Sequence, residues 1–137
     1  MPTMSKSKSI LLVDDESDIV NLFQDFLENR NYDVVGFTNP LEALQHYKIN
    51  WNRYGLVISD IRMPEMTGFD LLKNIKKLDA TILFFLMSAY DTIEFSELEG
   101  IKIDGFIQKP IRIKELLSIV EKHLINIPIS VRNSRNN

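Results

Sequence analysis

The stretch Leu56-Val57-Ile58-Ser59-Asp60-Ile61-Arg62-Met63-Pro64-Glu65 decides how this chain folds. Its first residues form an apolar run too short for a core helix, so it reads as a buried strand. The run ends on a carboxylate, Asp60, and Pro64 and Gly68 then bracket a loop before the next helix. The same grammar occurs upstream, where Ile10-Leu11-Leu12-Val13 runs into Asp14, Asp15 and Glu16. Two buried strands that both end on acids raise one question: whether those acids meet.

Working outward, Ile19, Val20, Phe23, Phe26 and Leu27 recur at helical spacing and predict a helix from Ser17 to Arg30 with one buried stripe. "YDVVGF" (32–37) is a second strand with Gly36 as its weak point. Asn39 then caps a helix whose first turn holds Pro40, where no donor is lost. After the Asp60 loop, Phe69, Leu71, Leu72 and Ile75 mark a helix reaching about Lys77. "ILFFLM" (82–87) is a fourth strand, apolar on both faces and therefore central. A helix over Thr92–Glu99, a fifth strand "DGFI" (104–107) and a last helix from Ile111 to about Leu124 follow, the last with Ile113, Leu116, Leu117 and Val120 inward. Strands alternating with helices require crossover connections, hence a five-stranded parallel sheet inside an α/β three-layer sandwich.

Length and composition agree with one such domain. The chain has 137 residues and 45% apolar content, enough for a core. Residues 1–8 read as a flexible lead, 9–124 as the domain, and 125–137 as a flexible tail or the start of a linker. With no cysteine, thiolate nucleophiles and zinc–thiolate sites are excluded. A net charge of -3 argues against an autonomous nucleic-acid binder, so no direct nucleic-acid contact is expected within this chain. The longest apolar run falls far short of the ~20 residues that span a bilayer, and no signal peptide is recognisable. The expected location is the cytoplasm, without membrane insertion.

In an open parallel sheet, functional groups gather beyond the carboxyl ends of the strands. That rule selects Asp14 and Asp15, then Asp60, Ser88 and Lys109, each just past its own strand. Oxygen ligands in this number suit Mg²⁺ or Mn²⁺. Each position also has a plain explanation. Asp14 or Asp15 could cap the first helix, Asp60 could be a turn residue, Ser88 a cap, and Lys109 a solvated lysine. Their joint occurrence at one edge favours a site. There a carboxylate can attack a phosphoryl group while a cation and an ammonium neutralise the transferred oxygens.

"LLVDDE", "VISDIRMPEMTGFDLL", "MSAYD" and "GFIQKPI" together resemble the receiver domain of two-component response regulators, over about residues 9–124. The resemblance implies a flavodoxin-like or CheY-like sheet of order 2-1-3-4-5 with five helices. It implies Asp60 as phosphoacceptor and a Mg²⁺ site of Asp14, Asp15, Asp60 and the backbone carbonyl of Arg62. Lys109 would pair with the phosphoryl group, and Ser88 and Phe106 would act as the switch hydroxyl and switch aromatic. Arg62, Ala89 and Tyr90 would border the pocket and tune hydrolysis, and Pro110 would follow a cis bond. Implied partners are a sensor histidine kinase or histidine phosphotransfer protein and an unknown downstream protein. The output would run through the fourth helix, fifth strand and fifth helix, in a monomer or a phosphorylation-linked homodimer. Such a protein assists its own phosphorylation and dephosphorylation and is not an enzyme in the ordinary sense.

Two rivals stay open. A phosphorylation-independent pseudo-receiver would keep the fold as an interaction module. A Mg²⁺-dependent phosphatase of the haloacid dehalogenase type would also form an aspartyl phosphate, but it wants a second aspartate two residues on, where this chain has Arg62.

Overall fold

The computed structural model describes residues 8–89 and 100–124. Its strands are β1 (Ser9–Val13), β2 (Val34–Phe37), β3 (Tyr54–Asp60), β4 (Leu83–Ser88) and β5 (Gly105–Gln108). Its helices are α1 (Ser17–Glu28), α2 (Pro40–Asn50), α3 (Gly68–Leu78) and α4 (Ile113–His123), with a 3-10 turn at Trp51–Arg53. The strands pair in parallel in the order β2-β1-β3-β4-β5, the arrangement the resemblance implies. The helix expected over Thr92–Glu99 lies outside the described residues, as do nearly all of the expected lead and the whole expected tail. Lys8, the last residue of that lead, donates from Nζ to the Asn52 carbonyl at 2.9 Å.

Strand side chains alternate between two cores. Leu11, Val13, Val57, Phe84 and Leu86 pack with α2 and α3 on one face. Ile10, Leu12, Leu56, Ile58, Phe85 and Met87 pack with α1 and α4 on the other. Both faces are therefore covered, which is why these strands read as unbroken apolar runs. On α1, Val20, Phe23 and Leu27 are buried, with Ile19 and Phe26 half-buried beside them. Asn39 accepts from the backbone N–H groups of Leu41 and Glu42, with Pro40 in the first turn of α2.

Three details depart from the sequence expectation. Helix α1 stops at Glu28 rather than Arg30; Asn29 keeps right-handed helical angles as its cap, and Asn31, with a positive φ of 71°, turns the chain away after it. Helix α4 begins at Ile113 rather than Ile111, with Arg112 in an extended capping conformation; Leu116 and Val120 are fully buried, Ile113 and Leu117 half-buried. Gly36 is a point of close approach, a role that the expectation of a weak point does not contain. A Cβ there would stand 2.4 Å from Val20 Cγ1 and 2.9 Å from Gln24 Oε1, so its absence lets α1 lie down on β2.

Candidate functional site

Register sets the geometry of the carboxyl edge. Val13 pairs with Ser59, Asp60 with Met87, and Ser88 with Gln108. Asp14, Asp60, Ser88 and Lys109 therefore leave the sheet at nearly one level.

Asp14 is completely buried. Its Oδ1 accepts the Glu16 N–H at 2.9 Å, and its Oδ2 accepts from Lys109 Nζ at 3.0 Å. The capping position of α1 is Glu16, and no side chain caps the helix there. The plain reading of Asp14 and Asp15 as helix caps is thus not what the structure holds. Asp15 is exposed beside Asp14. Asp60, 6% exposed, accepts the N–H of Ile61 on Oδ1 at 2.9 Å, and the same oxygen lies 3.4 Å from Lys109 Nζ. Burial, seconded by the negative charge of Asp14, pushes the Asp60 carboxyl up to about 6, against the pull of Lys109 and the Ile61 N–H. Burial works against the Lys109 ammonium too. The hydrogen bond and charge of Asp14, with the charge of Asp60, outweigh it, so the lysine is held above its ordinary value.

Carboxylate oxygens of Asp14, Asp15 and Asp60 lie within 4.8 Å of one another. That spacing, hard oxygen donors only, with two of the three buried, fits a single divalent cation of the Mg²⁺ type. His46 and His123 stand elsewhere, bonded to Tyr54 and to the Ile119 carbonyl.

Ser88 is buried at the end of β4, and its carbonyl accepts the Lys109 N–H at 2.7 Å. The Lys109–Pro110 bond is cis. Ala89 and Lys109 line a groove of about 470 Å³ with Glu16, Ile19, Leu22, Phe23, Pro110 and Ile111. Arg62 is exposed in the turn after β3. Phe106 pairs with Leu86 across the edge strand β5 and is 36% exposed, so it faces outward rather than into the core. Tyr90 lies outside the described residues.

Two residues matter more here than sequence reading assigned. A Cβ on Gly68 would stand 2.3 Å from the Asp60 carbonyl oxygen and 2.9 Å from Ile61 Cα, and its N–H donates to the Ile61 carbonyl at 2.8 Å. The start of α3 is thereby set hard against the backbone of Asp60. The available signal was a glycine at a first helical position, a costly choice for a helix unless space demands it. The other is Glu16, which brings Oε1 to 3.8 Å from Lys109 Nζ.

The response regulator receiver domain pattern matches residues 10–121, and the chain belongs to that family. It is 33% identical over 118 residues to the phosphoglycerate transport system transcriptional regulatory protein PgtA of Salmonella typhimurium, covering 85% of this chain and 28% of that protein. It is 36% identical over 112 residues to the response regulator SaeR of Staphylococcus epidermidis, covering 79% and 46%. Among solved structures it is similar to a CheY-like receiver domain protein from Methanospirillum hungatei, with a TM-score of 0.76 and 28% identity over 86% of this chain and 93% of that one. A receiver domain protein from Clostridium thermocellum gives 0.75 and 26% over 85% and 93%. The chain spans less than half the length of these curated relatives. Receiver domains of this family are signalling switches, not classical enzymes.

Proposed function

We propose that this domain takes a phosphoryl group on Asp60 from the phosphohistidine of a sensor histidine kinase or phosphotransfer protein. The observation that carries the reading is the placement of Lys109 Nζ between Asp14 and Asp60, at 3.0 and 3.4 Å, beside three carboxylates close enough to share one cation. A divalent cation held by Asp14, Asp15 and Asp60, with the Arg62 carbonyl as further ligand, supplies the positive charge that offsets the transferred oxygens.

The chain's own groups do the rest. The Asp60 carboxylate, held at the rim by the Ile61 N–H and the Lys109 ammonium, is the nucleophile. One of its oxygens bonds to phosphorus as the P–N bond to the donor imidazole breaks; the imidazole keeps the electron pair and takes up a proton. Lys109, already 3.4 Å from Asp60 Oδ1, pairs with the incoming phosphoryl oxygens, and the Ser88 hydroxyl donates to another. The acyl phosphate adds charge at the rim and biases an existing equilibrium of the β5 and α4 surface, read through packing of the outward Phe106. A downstream protein binds that surface, with or without dimerisation of the domain.

Incubation with Mg²⁺ and a small phosphodonor, followed by intact-mass measurement, tests this reading. One phosphoryl mass is expected on the wild type and none on Asp60→Asn. An unmodified wild type would overturn it and favour a pseudo-receiver.

A further inference from the structure

Glu16 stands where two features of the surface meet. Its Oε1 lies 3.8 Å from Lys109 Nζ, and its side chain is 66% exposed. Its backbone N–H is tied to buried Asp14, which fixes where the side chain starts, yet the carboxylate itself caps nothing. It also lines the groove shared with Ala89, Lys109 and Pro110. A solvated ion pair of this length adds little to stability. Its consequence is electrostatic. With Asp14 and Asp60 it makes three carboxylates around one ammonium, at 3.0, 3.4 and 3.8 Å, with Asp15 next to the first two. An incoming phosphoryl group must enter that field and compete for the same lysine.

We propose that Glu16 is a specificity-determining residue of the phosphoacceptor site: its rim carboxylate, sharing Lys109 with Asp14 and Asp60, selects against donors that bring more negative charge. The inference rests on the phosphoacceptor reading of Asp60. It makes Glu16 a discriminator between donors rather than a part of the bond-making machinery. A phosphohistidine presented by a protein with compensating basic groups passes this rim, whereas a small free dianion is held back.

Two small donors separate the cases. Acetyl phosphate is a dianion near neutral pH, and its P–O bond breaks to release acetate as the Asp60 O–P bond forms. Phosphoramidate carries one negative charge fewer because its nitrogen is protonated, and its P–N bond breaks to release ammonia. Rates of mass gain at Asp60 are measured with each donor, in Mg²⁺, for wild type, Glu16→Gln and Glu16→Asp. At low ionic strength, Glu16→Gln is expected to raise the acetyl phosphate to phosphoramidate rate ratio by roughly three- to tenfold. Glu16→Asp, which keeps the charge, is expected to stay near the wild-type ratio. The gain is expected to fade near 1 M salt, where the Debye length falls to ~3 Å. An unchanged ratio in Glu16→Gln, or a gain that persists at high salt, would overturn the assignment of Glu16 while leaving Asp60 as acceptor. Absence of mass gain on the wild type with both donors would overturn the acceptor reading, and this inference with it.

Discussion

The ammonium of Lys109 lies 3.0 Å from Oδ2 of Asp14, although 95 residues of chain separate them. Asp14 is fully shielded from solvent, and Lys109 is 17% exposed. Removing the ammonium strands a buried charge, which typically costs about 3–5 kcal/mol. Lys109→Met, which keeps most of the stem, is therefore expected to destabilise the metal-free protein by about 3 kcal/mol in urea unfolding. Adding Mg²⁺ is expected to recover part of that loss. By contrast, the Arg53–Asp33 pair, at 2.9 Å, is about half exposed, and Arg53→Met should cost under ~1 kcal/mol.

Asp60 carries a pH signature. Its folded-state pKa of about 6 exceeds the ordinary 3.8, so the folded state binds its proton more tightly than the unfolded chain does. Its contribution thus favours folding at low pH. The cost grows as pH rises from about 4 to 6 and is complete above that, reaching roughly 3 kcal/mol. In metal-free buffer, Asp60→Asn is expected to be more stable than wild type by about 1–3 kcal/mol at pH 7–8. The difference should shrink toward pH 4. Denaturant midpoints across this range check both the sign and the window.

Gly68 admits no side chain without moving Asp60. The atoms a Cβ would meet include the Asp60 carbonyl oxygen and Ile61 Cα, which are backbone and cannot rotate away. Gly68→Ala should destabilise by about 1–3 kcal/mol and slow phosphoryl uptake at Asp60. Thr67→Ala next to it, which breaks a capping box with Asp70, should cost about 1 kcal/mol and leave uptake nearly unchanged. Comparing melts with labelling rates separates the two.

Mg²⁺ should raise the melting temperature of the wild type, and chelation should reverse the shift. Saturation at a hundredfold excess over Kd corresponds to about 2.7 kcal/mol. Asp15→Asn is expected to weaken the shift, because the exposed Asp15 is one of three carboxylates that converge. Glu42→Gln, in the first turn of α2, should not change it.

Much of the fold is legible in the sequence, for identifiable reasons. The α1 stripe was legible because burial on one helical face repeats locally, and β3 and β4 because strands covered on both faces leave continuous apolar runs. Asp60 and Lys109 were legible because a parallel sheet gathers its carboxyl ends at one edge. The end of α1 at Glu28 is not legible to within two residues, since the turn from Asn29 to a left-handed Asn31 leaves no hydrophobic trace. The close approach at Gly36 is not legible because it depends on Val20, sixteen residues away in the chain.

The order of apolar runs and acids along the chain determined the sandwich, the parallel sheet and which residues stand at its rim. These follow from local periodicity and from the need to cover both faces of a sheet. Tertiary packing alone decided that Asp14 is sealed from water while Asp15 is not, that Lys109 is shared among Asp14, Asp60 and Glu16, and that Gly68 seats α3 against Asp60. Burial and distances of a few ångströms set charge and reactivity. They arise only when segments remote in sequence are brought together in one register.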